Sequence, residues 1–253
     1  MIYGLYLSAS GVMTNSHRLD VIANNLANSE TVGFKRDLTI FKERRTAIHE
    51  RTNAGDWSDP TLENIGGGIL TVPTMVDNQQ GDLEATGNPL DVGIQGNGFF
   101  TVSNGTKKSL TRDGAFMQNS KGELVMAMEP SQHLLDITGN PIQIATGAEA
   151  SIGNDGQVFQ NKTALTKIGL TDVSDKSKFA KEGNTLLTYP DAAQLRPATG
   201  IMRSQFQERS NVDPTTELAA LMDAQRQLEA NANMIKYQDS TLQRLVTDVG
   251  KIA

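Results

Sequence analysis

Branched apolar residues recur every seven positions at both ends of this chain. Leu5, Val12, Leu19 and Leu26 fall seven apart, with Ala9, Ile22 and Ala23 on neighbouring positions of the same face. Leu221, Leu228, Ile235, Leu242 and Val249 repeat the pattern at the other end, joined by Leu218, Leu245, Val246 and Ile252. A seven-residue apolar period puts one stripe along a helix and asks for a partner helix to cover it. The N-terminal run has about three heptads, near the length at which an isolated helix is marginal in water. The C-terminal run is longer and has a marked start: Asp213 is an N-cap, Pro214 takes the first helical position, and Glu217 meets the positive end of the helix dipole. To Lys251 this helix spans about 55 Å at the standard rise per residue. Its inner positions include Asn231 and Gln238, and Ala219, Ala220, Ala224, Ala230 and Ala232 line its other faces. Small residues all round admit close neighbours on several sides. Two arrangements remain open: an antiparallel hairpin packed on a globular body, or a bundle completed by other subunits.

Between the helices the texture is β. Turn dipeptides (Asn104-Gly105, Asp113-Gly114, Lys121-Gly122, Gly139-Asn140, Asp155-Gly156, Glu182-Gly183) separate runs of strand length such as Gly98 to Ser103 and Leu165 to Thr171. The expected fold class is α+β, with long N- and C-terminal α-helices pairing as a coiled-coil core and a central all-β domain. The expected divisions are residues 1–30 and 210–253 for the helical assembly core, 31–82 for an extended connector, and 83–205 for the β domain. The connector holds Gly66-Gly67-Gly68, the single Trp57 and a charged stretch from Lys35 to Arg45.

Composition narrows the chemistry. Without cysteine there is no disulfide framework, thiolate cluster or cysteine nucleophile. A formal charge of −6 gives no general attraction for nucleic acid or anionic lipid. Only 5% of residues are aromatic, which argues against one large compact core. No run approaches the roughly 20 apolar residues of a membrane span. The apolar start, MIYGLYLSASGVMT, lacks a basic leader and its pattern continues past His17 and Arg18, so it reads as mature structure rather than a cleaved signal. His17, His49 and His133 are far apart and without metal-motif spacing, which favours solvated side chains. Gly96-Asn97-Gly98 opens like a dinucleotide loop, but Thr101 stands where the third glycine belongs. Lys35, Arg36, Lys42, Arg44 and Arg45 are interrupted by Asp37 and Glu43, the pattern of a solvated surface. Nothing here argues for an enzyme, a cofactor, a metal, a small-molecule substrate or a nucleic-acid partner.

Three longer motifs carry a resemblance. LDVIANNLANSETVGFKR (Leu19 to Arg36), TGNPLDVGIQGNGFF (Thr86 to Phe100) and SNVDPTTELAALMDAQRQLEANANMIKYQDSTLQRL (Ser210 to Leu245) are similar, in that order, to segments of the flagellar rod and hook proteins. The resemblance implies a structural subunit of the bacterial flagellar basal-body rod, exported by the flagellum's own type III apparatus without a cleaved signal and stacked into a helical tube across the periplasm. It implies copies of itself and other axial rod and hook proteins as partners. Length favours a rod protein over the hook protein. The opening IYGLYLSASG and the short stretch after Gln157 lean to the proximal rod, while ANNLAN followed by GFKR suits the distal rod equally. Gln227-Leu228 and Ser240-Thr241 depart from the family's usual C-terminal residues.

On this reading Leu5, Val12, Leu19 and Leu26 pair with Leu221, Leu228, Ile235, Leu242 and Val249, each fully buried side chain contributing about 1.5 to 3 kcal/mol. Asn24 and Asn25 fall outside that seam and are expected to fix register by hydrogen bonds, either capping the turn after the helix or reaching a neighbouring subunit. Gly33, Gly87, Gly96 and Gly98 are expected to serve backbone conformation. The rival from another class is an extracellular β-domain adhesin or binding module on a helical oligomerising stalk. It needs an aromatic platform, and the region offers scattered Phe99, Phe100, Phe116, Phe159 and Tyr189.

Overall fold

The computed structural model describes residues 2–43, 68–145, 147–189 and 195–250. His49, Trp57, Arg44, Arg45, Gly66 and Gly67 lie outside the described residues. The fold is α+β: a helix at each end of the chain and a sheet-rich middle. Contacts divide it into two compact units, one of Met1–Leu26, Asp37–Thr74 and Pro214–Ala253, the other of Ala27–Arg36 and Met75–Asp213.

In the first unit, helix α1 (Ile2–Ala27) and helix α2 (Pro214–Gly250) accompany strands β1 (Asp37–Glu43) and β2 (Ile69–Val76), which form a two-stranded sheet. The heptad pattern thus yields helices at both ends, and α2 begins at the proline that its fixed φ suits for a first turn. Along α2, Leu221, Ala224, Leu228, Asn231, Ile235, Gln238 and Leu242 are buried or half-buried at alternating steps of three and four. Leu218, Leu245 and Val246, which the sequence reading joins to the repeat, are exposed instead. Leu218 and Val246 stand one position off the stripe, where a helix covered on one side leaves side chains in solvent, whereas Leu245 continues the stripe by its next step of three and is exposed all the same.

The second unit is antiparallel. Strands β3 (Leu83–Ala85) and β4 (Val92–Gln95) pair with Phe206–Glu208 and Ile201–Ser204 respectively. A nine-stranded sheet runs through β5 (Phe99–Ser103) and β6 (Lys108–Thr111), and a separate three-stranded sheet spans Ala150–Ile152, Gln157–Gln160 and Thr163–Lys167. Side chains alternate across β5, so adjacent phenylalanines enter different cores. Phe100 joins the larger cluster with Ile94, Phe116, Met126 and Leu134, its ring edge-on to Phe116 at 5.3 Å. Phe99 enters a smaller one with Leu110, Val173, Phe179 and Leu187, edge-on to Phe179 at 5.1 Å. Few aromatic residues are enough because they are divided between two modest cores. Gly33, Gly87, Gly96 and Gly98 all take positive φ, at 67°, 72°, 95° and 142°.

Candidate assembly surface and the buried junction

In the helical unit, α1 and α2 approach through residues of unequal size. A Cβ built on Gly4 would lie 2.9 Å from Gln238 Nε2, and one on Gly11 would lie 2.7 Å from Asn231 Nδ2. The two amides therefore rest against bare backbone. Leu5 and Val12, one position along from these glycines, are half-buried, as are Leu19, Leu26, Leu221, Leu228, Ile235 and Leu242. Val249 lies in α2. α2 exposes Leu218, Met222, Met234, Tyr237, Leu245 and Val246, each 45% or more accessible. On α1, Tyr6 and Met13 are exposed too.

Side chains of α1 also dock on the two-stranded sheet by copying a strand's own pairing. Asn25 is 1% exposed; its Nδ2 donates to the Asp37 carbonyl at 2.9 Å, and its Oδ1 accepts from the Asp37 N–H at 2.9 Å. Ser10 Oγ donates to the Ile69 carbonyl at 3.0 Å and accepts from the Ile69 N–H at 3.2 Å. Each polar side chain holds the backbone of one strand. Asn24, the residue before Asn25, is exposed.

The β-rich unit contains a buried ion cluster that the sequence reading placed at the surface. Lys35 is not a solvated member of a basic run: it is 3% exposed, and its Nζ donates to Glu208 Oε1 at 2.6 Å and to the Gln79 carbonyl at 2.6 Å. Arg112 donates from Nη1 to Glu208 Oε2 at 2.9 Å and from Nη2 to the Gly96 carbonyl at 2.7 Å, while its guanidinium stacks 5.0 Å from the Phe99 ring. Glu208 is fully buried, and Oε1 accepts also from the Gly81 N–H at 3.0 Å. Burial holds the Lys35 pKa below its ordinary range, against the opposing pull of Glu208. Arg112 Nε is buried without a hydrogen-bond partner, but each charge of the cluster is paired, and an unpaired ion in the interior costs several kcal/mol.

The chain reaches this cluster through a turn that glycine alone permits. Gly33 has φ 67°, donates its N–H to the Glu208 carbonyl at 2.7 Å, and would place a Cβ 2.3 Å from the Asp113 backbone nitrogen. Phe34, fully buried, lies under Lys181 Nζ at 3.7 Å, and that ammonium donates to the Lys35 carbonyl. Asp113 is fully buried; its Oδ1 accepts from the Ala115 N–H, and its Oδ2 is buried without a hydrogen-bond partner. Burial pushes its pKa up to about 6, with Asp91 and Glu129 adding to the rise. His133, half-buried, has Nδ1 3.4 Å from Glu123 Oε2 rather than open solvent around it. Among the described residues no group of three His, Asp or Glu side chains is placed to hold a metal ion. No described helix is long and apolar enough to cross a membrane.

The chain is similar to proteins of one class over almost its whole length. Three family descriptions match: "Flagella basal body rod protein" at residues 5–35, "Flagellar hook protein FlgE/F/G D1 domain" at 93–160, and "Flagellar basal body rod FlgEFG protein C-terminal" at 203–248. The flagellar basal-body rod protein FlgF of Caulobacter vibrioides is 34% identical, covering 98% of this chain and 98% of its own. The corresponding FlgG of Bacillus subtilis is 32% identical, covering 97% and 98%, and FlgF of Mesorhizobium japonicum is 30% identical, covering 97% of each. The chain belongs to the flagellar basal-body rod protein family. It is a structural subunit of the flagellar basal-body rod rather than an enzyme, and it assembles with other axial flagellar proteins. Lys35, Arg112 and Glu208 come one from each of the three matched segments, so the buried cluster is where those segments meet. Lys35 lies within the GFKR motif and was visible there; Glu208 carries no local signal in the sequence.

Proposed function

We propose that α1 and α2 pair as a coiled-coil core and that this core makes the subunit self-assemble into a helical tube that transmits torque. Residues 1–30 and 210–253 form the assembly core in this reading, 31–82 the connector and 83–205 the outer β domain. The observation that carries it is the set of large apolar side chains that α2 leaves in solvent, Leu218, Met222, Met234 and Tyr237 among them. An isolated chain gains nothing from exposing them, whereas copies that offer one another the same helices bury them. Head-to-tail contacts that do not close a ring build a helical filament. Gly4 against Gln238 and Gly11 against Asn231 support the helix pairing. Copies of this chain and of other axial rod and hook proteins are the partners, delivered by the flagellar type III export apparatus. The proximal rod position is favoured over the distal one by the opening IYGLYLSASG and by the short stretch after Gln157.

Replacing Leu218 and Met222 together by Asp tests this reading. The purified variant should keep its helical circular dichroism and be missing from isolated basal bodies. A variant that incorporates at the level of the native chain contradicts it.

A further inference from the structure

The contact between the two helices is polar where a simple zipper is apolar, and its geometry is self-consistent. Gly4 and Gly11 are seven residues apart on α1, and their contacts Gln238 and Asn231 are seven apart on α2 in the opposite order, which fixes an antiparallel register. Extending it by one more heptad sets Arg18 level with Ala224, which is fully buried. Along this seam a small residue on one helix therefore faces a larger one on the other. Gln238 adds a cost: its Oε1 is buried and has no hydrogen-bond partner. An orphaned acceptor destabilises the contact, and leucine would serve a plain apolar seam better.

We infer that Asn231 and Gln238, seated in the notches at Gly11 and Gly4, are the specificity element that fixes the register of the helix pair. The inference rests on the helix pairing proposed above and names the residues that decide its alignment. A slip of one heptad in one direction brings Asn231 level with Arg18, where no glycine makes room. A slip in the other direction brings Ala224 level with Gly11, small against small, and leaves a void. Leucine at both amide positions fills such a seam with less regard for alignment, because side chains of similar size and no polarity pack in several registers. The amides exchange stability for a single register, which a subunit repeated along a polymer needs.

The absence of native cysteine makes the alignment readable by disulfide trapping on the full-length chain. Ser8 and Ile235 lie midway between the two contacts on the same helix faces, so Ser8→Cys with Ile235→Cys reports the native register. Ser8→Cys with Leu228→Cys, or with Leu242→Cys, reports a slip of one heptad. In the otherwise native chain the first pair should close within the monomer and the other two should not. Adding Asn231→Leu and Gln238→Leu should raise the slipped yields several-fold relative to the native-register yield, while helical circular dichroism is kept or increased. Unchanged yields in that background overturn the inference and leave the helix pairing standing. Failure of all three pairs to close in the native background, or closure only between chains, overturns the intrachain pairing and the register element with it.

Discussion

Glu208 is the carboxylate on which two buried cations, Lys35 and Arg112, converge. Glu208→Gln keeps the shape and removes the charge, leaving both cations unneutralised in the interior. The expected loss is about 3 to 5 kcal/mol, read as a lower denaturant midpoint with unchanged slope. Lys35→Met leaves the Arg112 to Glu208 pair intact and should cost clearly less. Asp113 gives a pH signature. Its pKa is about 6 in the folded chain against an ordinary 3.8, so between those values the native state holds more protons than the unfolded one. Stability contributed by this group is therefore lost as pH rises through that window. Asp113→Asn should raise stability near neutral pH, by up to about 3 kcal/mol on the usual conversion of pKa shift to energy, and change it little near pH 4. Denaturant titration of both chains at the two pH values checks this; an equal effect at both would contradict it. At this scale the sequence showed that Gly33 serves backbone conformation. It did not show the ion cluster, because Glu208 is 173 residues from Lys35 and 96 from Arg112, and nothing in a basic run says which cation turns inward.

At the scale of elements, the helices were legible because a seven-residue apolar period has one economical solution. Their finer contacts were not. The repeat draws the eye to Leu5 and Val12, yet the contacts with Gln238 and Asn231 fall on Gly4 and Gly11, because close approach requires a missing side chain and a missing side chain leaves no apolar mark. The pairing of β1 with β2 escaped notice for a related reason: their partners on α1 are the polar Asn25 and Ser10, bonding to backbone. Asn25→Ala removes both bonds to Asp37 and should cost about 1 to 3 kcal/mol by leaving backbone groups unsatisfied. Hydrogen exchange should speed up for the amides of β1 and stay unchanged at Leu124–Met126. Equal acceleration at both would mean that the side chain supports the whole fold and not one strand.

For the molecule as a whole, the division between helical ends and β middle follows from sequence periodicity, and each part is given its own means of cohesion. The β-rich unit holds two apolar clusters and the buried ions, whereas α2 keeps much of its apolar surface exposed. Folding and assembly are then separable tasks. Deleting residues 214–253 tests this most directly, with the truncated chain followed in parallel by thermal unfolding and by its presence in purified basal bodies. The account predicts a cooperative unfolding transition from the remaining β-rich unit, no truncated chain in the basal bodies, and non-motile cells. Motile cells whose basal bodies contain the truncated chain at native abundance would contradict it.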